Sequence, residues 1–149
     1  MFEITPQDWD VALKLLMATF LGGVIGFERE KKGKAAGLRT HAMVCLGSAL
    51  VMIISTEIFD LYKGMADVDP SRIAAQVVTG IGFLGAGAII RSTERVKGLT
   101  TAAGIWTASG IGLACGIGQY RPAIITTALA ILILVVFIRV DRMLGNDEH

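Results

Sequence analysis

The stretch Ala123-Ile124-Ile125-Thr126-Thr127-Ala128-Leu129-Ala130-Ile131-Leu132-Ile133-Leu134-Val135-Val136-Phe137-Ile138 runs for 16 residues without a charge, between Arg121-Pro122 and Arg139. As a helix, such a run is roughly long enough to cross the ~30 Å hydrocarbon core of a bilayer. Working back along the chain, four more runs of the same kind appear at Val11 to Phe27, Ala42 to Phe59, Ile73 to Ile90 and Thr101 to Ile117, interrupted only by Lys14 and Glu57. The sequence therefore predicts an all-α polytopic membrane protein. It should be a single domain over 1–149, a bundle of five transmembrane helices at about 6–28, 41–60, 70–91, 100–117 and 122–142.

Little is left outside the lipid, so function is expected in the bilayer or at its faces. Of 149 residues, 53% are apolar and the formal charge is only +1, which indicates no nucleic-acid partner. Ten of the fourteen basic residues lie in three segments: Arg29 to Arg39, Arg91 to Lys97, and Arg139 with Arg142. By the positive-inside rule those segments belong to the cytoplasm, putting the N-terminus outside and the C-terminus inside. The first residues lack a basic n-region and a small-residue cleavage site, so the first run is expected to stay as a helix.

Local signals agree. Thr5-Pro6, Asp69-Pro70 and Arg121-Pro122 mark helix starts, with Thr5, Asp69, Thr40 and Thr100 as candidate N-caps. Gly104, Ala108, Gly112 and Gly116 step by four along the fourth helix and should form the tightest seam, with a shorter one at Gly22 and Gly26. Cys45 and Cys115 are expected at different depths, as free packing thiols. The fifth helix has no glycine and should sit at the periphery.

Gly80-Ile81-Gly82-Phe83-Leu84-Gly85-Ala86-Gly87 satisfies G-x-G-x-x-G, but without a βαβ context or an acid about 20 residues on it is no dinucleotide site. Two readings remain for Gly80, Gly82, Gly85 and Gly87: dense helix packing, or local unwinding that offers backbone groups to a solute. Intramembrane ionisable groups deserve a functional hypothesis. On the outer side Asp69, Arg72, Gln76 and Glu57 are expected to pair structurally, and Lys14 to be solvated or paired with Glu57. On the inner side Glu28, Arg29, Arg39, Thr40, His41, Arg91, Thr100 and Thr101 can converge into a polar plug, with Glu28 neutralising Arg39 or Arg91. Mg²⁺ accepts one or two carboxylates plus water, but the arginines disfavour a cation, so no metal or cofactor is expected. One intramembrane histidine and scattered carboxylates assemble no catalytic residues, so the protein is read as no enzyme.

Four blocks, Leu21 to Glu30, Gly37 to His41, Arg72 to Gly87 and Gly98 to Ala103, together resemble the MgtC/SapB family of bacterial inner-membrane proteins. The resemblance covers nearly the whole chain. It implies a five-helix domain in the cytoplasmic membrane, a link to magnesium limitation, in some pathogens to survival inside macrophages, and restraint of the membrane ATP synthase through helix contacts. Family members often carry a C-terminal ACT-like domain, whereas here about ten residues follow the fifth helix, so roles of that domain, virulence included, are not expected to carry over. Two functions follow as expectations. One is a non-enzymatic regulator that contacts other membrane proteins, as a homo-oligomer with a dimer favoured. The other is a small oligomeric transporter or channel for an ion or small solute, Mg²⁺ among the candidates. A water-filled cavity reaching Gly80 to Gly87 would favour transport, and a solid core regulation.

Overall fold

A computed structural model describes residues 5–65, 69–91 and 95–137. They form five helices: α1 (Pro6–Lys31), α2 (Leu38–Tyr62), α3 (Ser71–Gly87), α4 (Leu99–Gly116) and α5 (Tyr120–Leu132), the last continuing into a π-helical turn at Ile133–Phe137. Three segments, Pro6–Lys31, Leu38–Tyr62 and Tyr120–Phe137, are long and apolar enough to cross a membrane. Helices α3 and α4 are shorter, at 17 and 18 residues. The C-terminal part of the expected fifth helix, 138–142, lies outside the described residues.

Helix α1 starts as its sequence dictates. Thr5 accepts from the Asp8 N–H at 3.4 Å while Asp8 Oδ2 accepts from the Thr5 N–H at 2.7 Å, a reciprocal capping box with Pro6 in the first turn. Three other expected caps are corrected. Helix α2 begins at Leu38, so Thr40 is already inside it. Helix α4 begins at Leu99 after Gly98, so Thr100 is inside as well. Asp69 stands one residue before the cap position Pro70 and accepts the Ser71 N–H at 2.8 Å instead.

Helix α3 also ends earlier than its apolar run. It closes at Gly87, and the β-branched residues that follow enter a two-stranded antiparallel hairpin, β1 (Ile90–Arg91) with β2 (Val96–Lys97), which the all-helical expectation did not contain. Gly98 then turns the chain into α4 at φ +91°, in the left-handed region, and a Cβ there would strike the Ala88 carbonyl.

The centre of the molecule is the α1–α2–α4 unit. Ala18, Leu21 and Ile25 of α1, Cys45 and Ala49 of α2, and Ala108, Ile111 and Cys115 of α4 are buried together, with Ala123 and Leu134 from the α5 segment. Lipid tails are as apolar as these side chains, so close packing and interhelical hydrogen bonds must hold such a unit together in a membrane. Both are present. A Cβ at Gly22 would lie 2.6 Å from the His41 carbonyl, and one at Gly26 2.6 Å from the Gly37 carbonyl, which runs α1 antiparallel to α2. On α4, Gly104 meets His41, Gly112 meets Cys45 and Ser48, and Gly116 meets Ala49 and Met52, so α4 runs parallel to α2. The Cys45 thiol donates to the Ala108 carbonyl at 2.9 Å across that seam. Both cysteines are free and buried.

Helix α3 is attached more lightly. Ile81 and Gly85 are its buried residues, Ile81 packing with Ala36 and Ile105, and the Ser55 hydroxyl of α2 donates to the Pro70 carbonyl at its start. Helix α5 is peripheral, with Ile124, Ile125, Leu129 and Leu132 exposed, as is Phe137 in the turn that continues it.

Candidate functional site

The last turn of α1 carries Glu28, Arg29 and Glu30 in succession, and each reaches a different neighbour. Arg29 is 1% exposed, and its Nε donates to Glu28 Oε2 at 2.7 Å. A buried guanidinium needs such a partner, because the cost of removing it from water is several kcal/mol, of the order seen for single buried ions. Lys32, one turn after Glu28, places Nζ 2.5 Å from Glu28 Oε1 as an ion pair. The same ammonium donates to the Leu134 carbonyl at 3.0 Å, inside the π-helical turn where the backbone ladder is locally rearranged. Glu30 turns the other way. Its Oε2 accepts the Leu38 N–H at 2.8 Å, so the carboxylate that caps α2 comes from α1, at the end where the helix dipole favours an anion.

His41 completes the cluster. It is 0% exposed, and its Nδ1 lies 3.0 Å from the Gly37 carbonyl. A carbonyl only accepts, so Nδ1 carries the proton and Nε2 of the neutral ring is an acceptor. Nε2 faces α4, where a Cβ at Gly104 would stand 3.2 Å away. Thr101, one turn earlier on α4, is buried too.

The expected inner cluster therefore divides. Glu28, Arg29, His41 and Thr101 are drawn into the helix junction, whereas Arg39, Thr40, Arg91 and Thr100 are exposed. The expected Glu28–Arg39 pair is replaced by Glu28 with Arg29 and Lys32, and Glu28 forms no ion pair with Arg91. The reason is register: Arg39 lies on the exposed side of the first turn of α2, while Lys32 stands at the i+4 position that α1 itself supplies. That spacing was a readable signal for Lys32. The reach of Glu30 to α2 and of Lys32 to the π-helical turn had none.

The third-helix glycines follow neither expected reading. Residues 71–87 form an unbroken helix, yet Gly80, Gly82 and Gly87 are exposed, with nothing within 4 Å of an added Cβ. Gly85 alone makes contact, 3.7 Å from Ala102. Beside Gly80 runs an apolar groove of about 410 Å³ between α2 and α3, lined by Met43, Gly47, Val51 and Leu84 among others. The packing residues Gly22, Gly26, Gly104, Ala108, Gly112 and Gly116 all lie within the α1–α2–α4 unit.

The outer polar residues remain dispersed. Glu57, Asp69, Arg72 and Gln76 are exposed, and Lys14 pairs with Asp10 at 2.6 Å rather than with Glu57. Arg72 forms no ion pair with Asp69 or Glu57 among the described residues. Hydrogen bonds from the Ser71 side chain and backbone, helped by the charge of Arg72, hold the Asp69 carboxyl below its ordinary pKa. Among the described residues no three His, Cys, Asp or Glu side chains gather as metal ligands.

The chain is 44% identical over 145 residues to the putative magnesium transporter YhiD of Escherichia coli K12, covering 92% of this chain and 65% of that one. It is 44% identical over 146 residues to protein SapB of Bacillus subtilis, covering 95% and 62%. With protein MgtC of Salmonella typhimurium it shares 44% over 117 residues, covering 78% and 48%. The chain thus spans about half to two thirds of the length of these curated relatives. No solved structure matches. The MgtC family model aligns with residues 15–143, through both glycine-rich helices and the Glu28–Arg29–His41 junction, and the chain belongs to the MgtC family.

Proposed function

We propose that the protein is a non-enzymatic regulator in the bacterial cytoplasmic membrane, acting through helix contacts with other membrane proteins and supporting adaptation to magnesium limitation. The observation that carries this reading is the closed α1–α2–α4 unit, whose seam is filled by Cys45, Ala49, Ala108 and Ile111. Along that seam Gly22, Gly26, Gly112 and Gly116 leave no room for an added methyl group. The groove that reaches Gly80 is apolar and lies on the flank of the bundle, which suits a lipid tail or a neighbouring helix better than a hydrated ion. The outward faces of α3 and α5, with Phe83 81% and Ile125 59% exposed, supply contact surface for partners, a second copy included.

A second reading rests on the name of the Escherichia coli relative, a putative magnesium transporter. Several copies would then enclose a route beside the open glycines of α3. One experiment separates the two. The purified full chain in liposomes loaded with a Mg²⁺ indicator should admit no more Mg²⁺ than empty liposomes, and sustained entry that depends on the chain overturns regulation in favour of transport. Orientation is tested in the same vesicles. A cysteine at Lys34 should react only from the cytoplasmic side and one at Met65 only from the opposite side, the native thiols being buried.

A further inference from the structure

The apolar groove between α2 and α3 runs along the flank of the bundle. Met43 and Leu84 line one end, Gly47 and Gly80 the middle, and Val51 and Val77 the other end. The span from Met43 to Val51 is roughly 12 Å along the helix axis. A Cβ added at Gly47 or Gly80 meets nothing within 4 Å, so the middle is open.

The Met43 end is the cytoplasmic one in the orientation proposed above, and positive charge rims it. Arg39 stands one turn before Met43, on the same face of α2. Ala36 is buried with Ile81 and Ile105, and Ala88 packs against them, which brings the start of α2 and the hairpin with Arg91 and Lys97 to one end of the bundle. Arg39, Arg91 and Lys97 are exposed, and among the described residues none of them forms a salt bridge. The carboxylates at this end are engaged elsewhere, Glu28 by Arg29 and Lys32 and Glu30 by the Leu38 N–H.

An apolar trench at membrane depth takes an acyl chain, and a guanidinium at its mouth takes a phosphate through paired hydrogen bonds. A zwitterionic headgroup brings an ammonium that Arg91 and Lys97 repel, and free phosphate leaves the trench unfilled. A second copy inserted in the same orientation sets its own basic segments at this depth, like charge against like. We propose that this site binds an anionic phospholipid, with one acyl chain in the α2–α3 groove and the headgroup phosphate on Arg39, Arg91 and Lys97 adding to the positive field. Such a lipid braces the lightly held α3 against α2. The inference rests on the membrane placement and orientation of the preceding section and is the same for either functional reading.

The test uses the full chain in vesicles of phosphatidylcholine and phosphatidylglycerol. The chain has two tryptophans, so Trp9→Phe and Trp106→Phe combined with Met43→Trp leave one reporter at the mouth of the groove, and Leu84→Trp serves if that variant does not fold. Brominated acyl chains quench tryptophan on contact. Brominated phosphatidylglycerol should compete for the reporter about fivefold better than brominated phosphatidylcholine. Arg39→Gln should erase that preference, and Lys63→Gln, at the opposite end of α2, should keep it. Equal quenching by the two lipids, or a preference that survives Arg39→Gln, overturns the proposal. So does quenching by neither, which means that a protein helix covers the groove, and so does loss of the preference on adding inorganic phosphate at constant ionic strength, which means a free-anion site. Cysteine labelling at Lys34 reports orientation separately, so failure of the lipid site and failure of the orientation are told apart.

Discussion

Helices α3 and α4 are both rich in glycine, and they use it in opposite ways. On α4, Gly104, Ala108, Gly112 and Gly116 recur every fourth residue, so at 3.6 residues per turn they stay on one face, and that face is pressed into α2. On α3, Gly80, Gly82, Gly85 and Gly87 are spaced by two and three, which scatters them around the helix. Only Gly85 finds a neighbour. The number of glycines is therefore a poor guide to packing in a membrane helix. Their spacing decides whether a backbone can approach.

The contrast between a tight unit and a lightly held flank can be broken by substitution. The largest effect is expected at the inner end of the tight unit. Glu28→Gln leaves Arg29 buried without its counter-charge, at a cost of about 3 to 5 kcal/mol, read as a large drop in melting temperature in detergent. Arg39→Gln, at an exposed site, should change stability by less than about 0.5 kcal/mol. Equal losses would return Arg39 to the cluster.

Next is the seam itself. Gly112→Ala sets a methyl group 2.8 Å from Ser48 Cβ and closer still to the Cys45 carbonyl, and overpacking of this kind costs about 1 to 3 kcal/mol. A neutral result would mean that α2 and α4 are not in this register. Gly82→Ala on α3 meets open space and should stabilise the helix by up to about 1 kcal/mol, since alanine is the better helix former. A loss there would show that another chain covers this face of α3.

The smallest effect concerns the start of α3. The pKa of Asp69 is lowered in the folded state, so its contribution is present above the unfolded value and disappears as the pH falls through the folded one. Acid should loosen α3 before the α1–α2–α4 unit. Asp69→Asn should remove that pH dependence of amide exchange at Ser71 and Arg72, and an unchanged profile would exclude Asp69 as its source.

Much of the candidate site was legible, in pieces. Glu28 and Arg29 are recognisable as polar residues at a helix end, and His41 as an ionisable group opening an apolar run. Which of them meet is another matter. Glu28 had several possible cations in the segments around it, and the choice between Arg39, Arg91 and the neighbours on its own helix depends on which way the first turn of α2 is rotated. The misreading of Gly80 to Gly87 has the same origin. Both expected outcomes assumed that the segment lies inside the bundle, and no local pattern reports a helix's place within a bundle.

By itself the sequence determined the five apolar segments, the capping box at Thr5 and the face of α4 able to pack closely. These depend on composition and on the 3.6-residue period, both contained within a single segment. Only the tertiary structure decided that α4 packs against α2, that Glu30 caps a helix other than its own, that Lys32 reaches the Leu134 carbonyl, and that α3 stands at the flank. Those are contacts between segments that are all similarly apolar, and in lipid hydrophobicity does not distinguish one apolar face from another. The selection rests on backbone approach and on the few polar groups that must find partners, and these become definite only when the helices are set side by side.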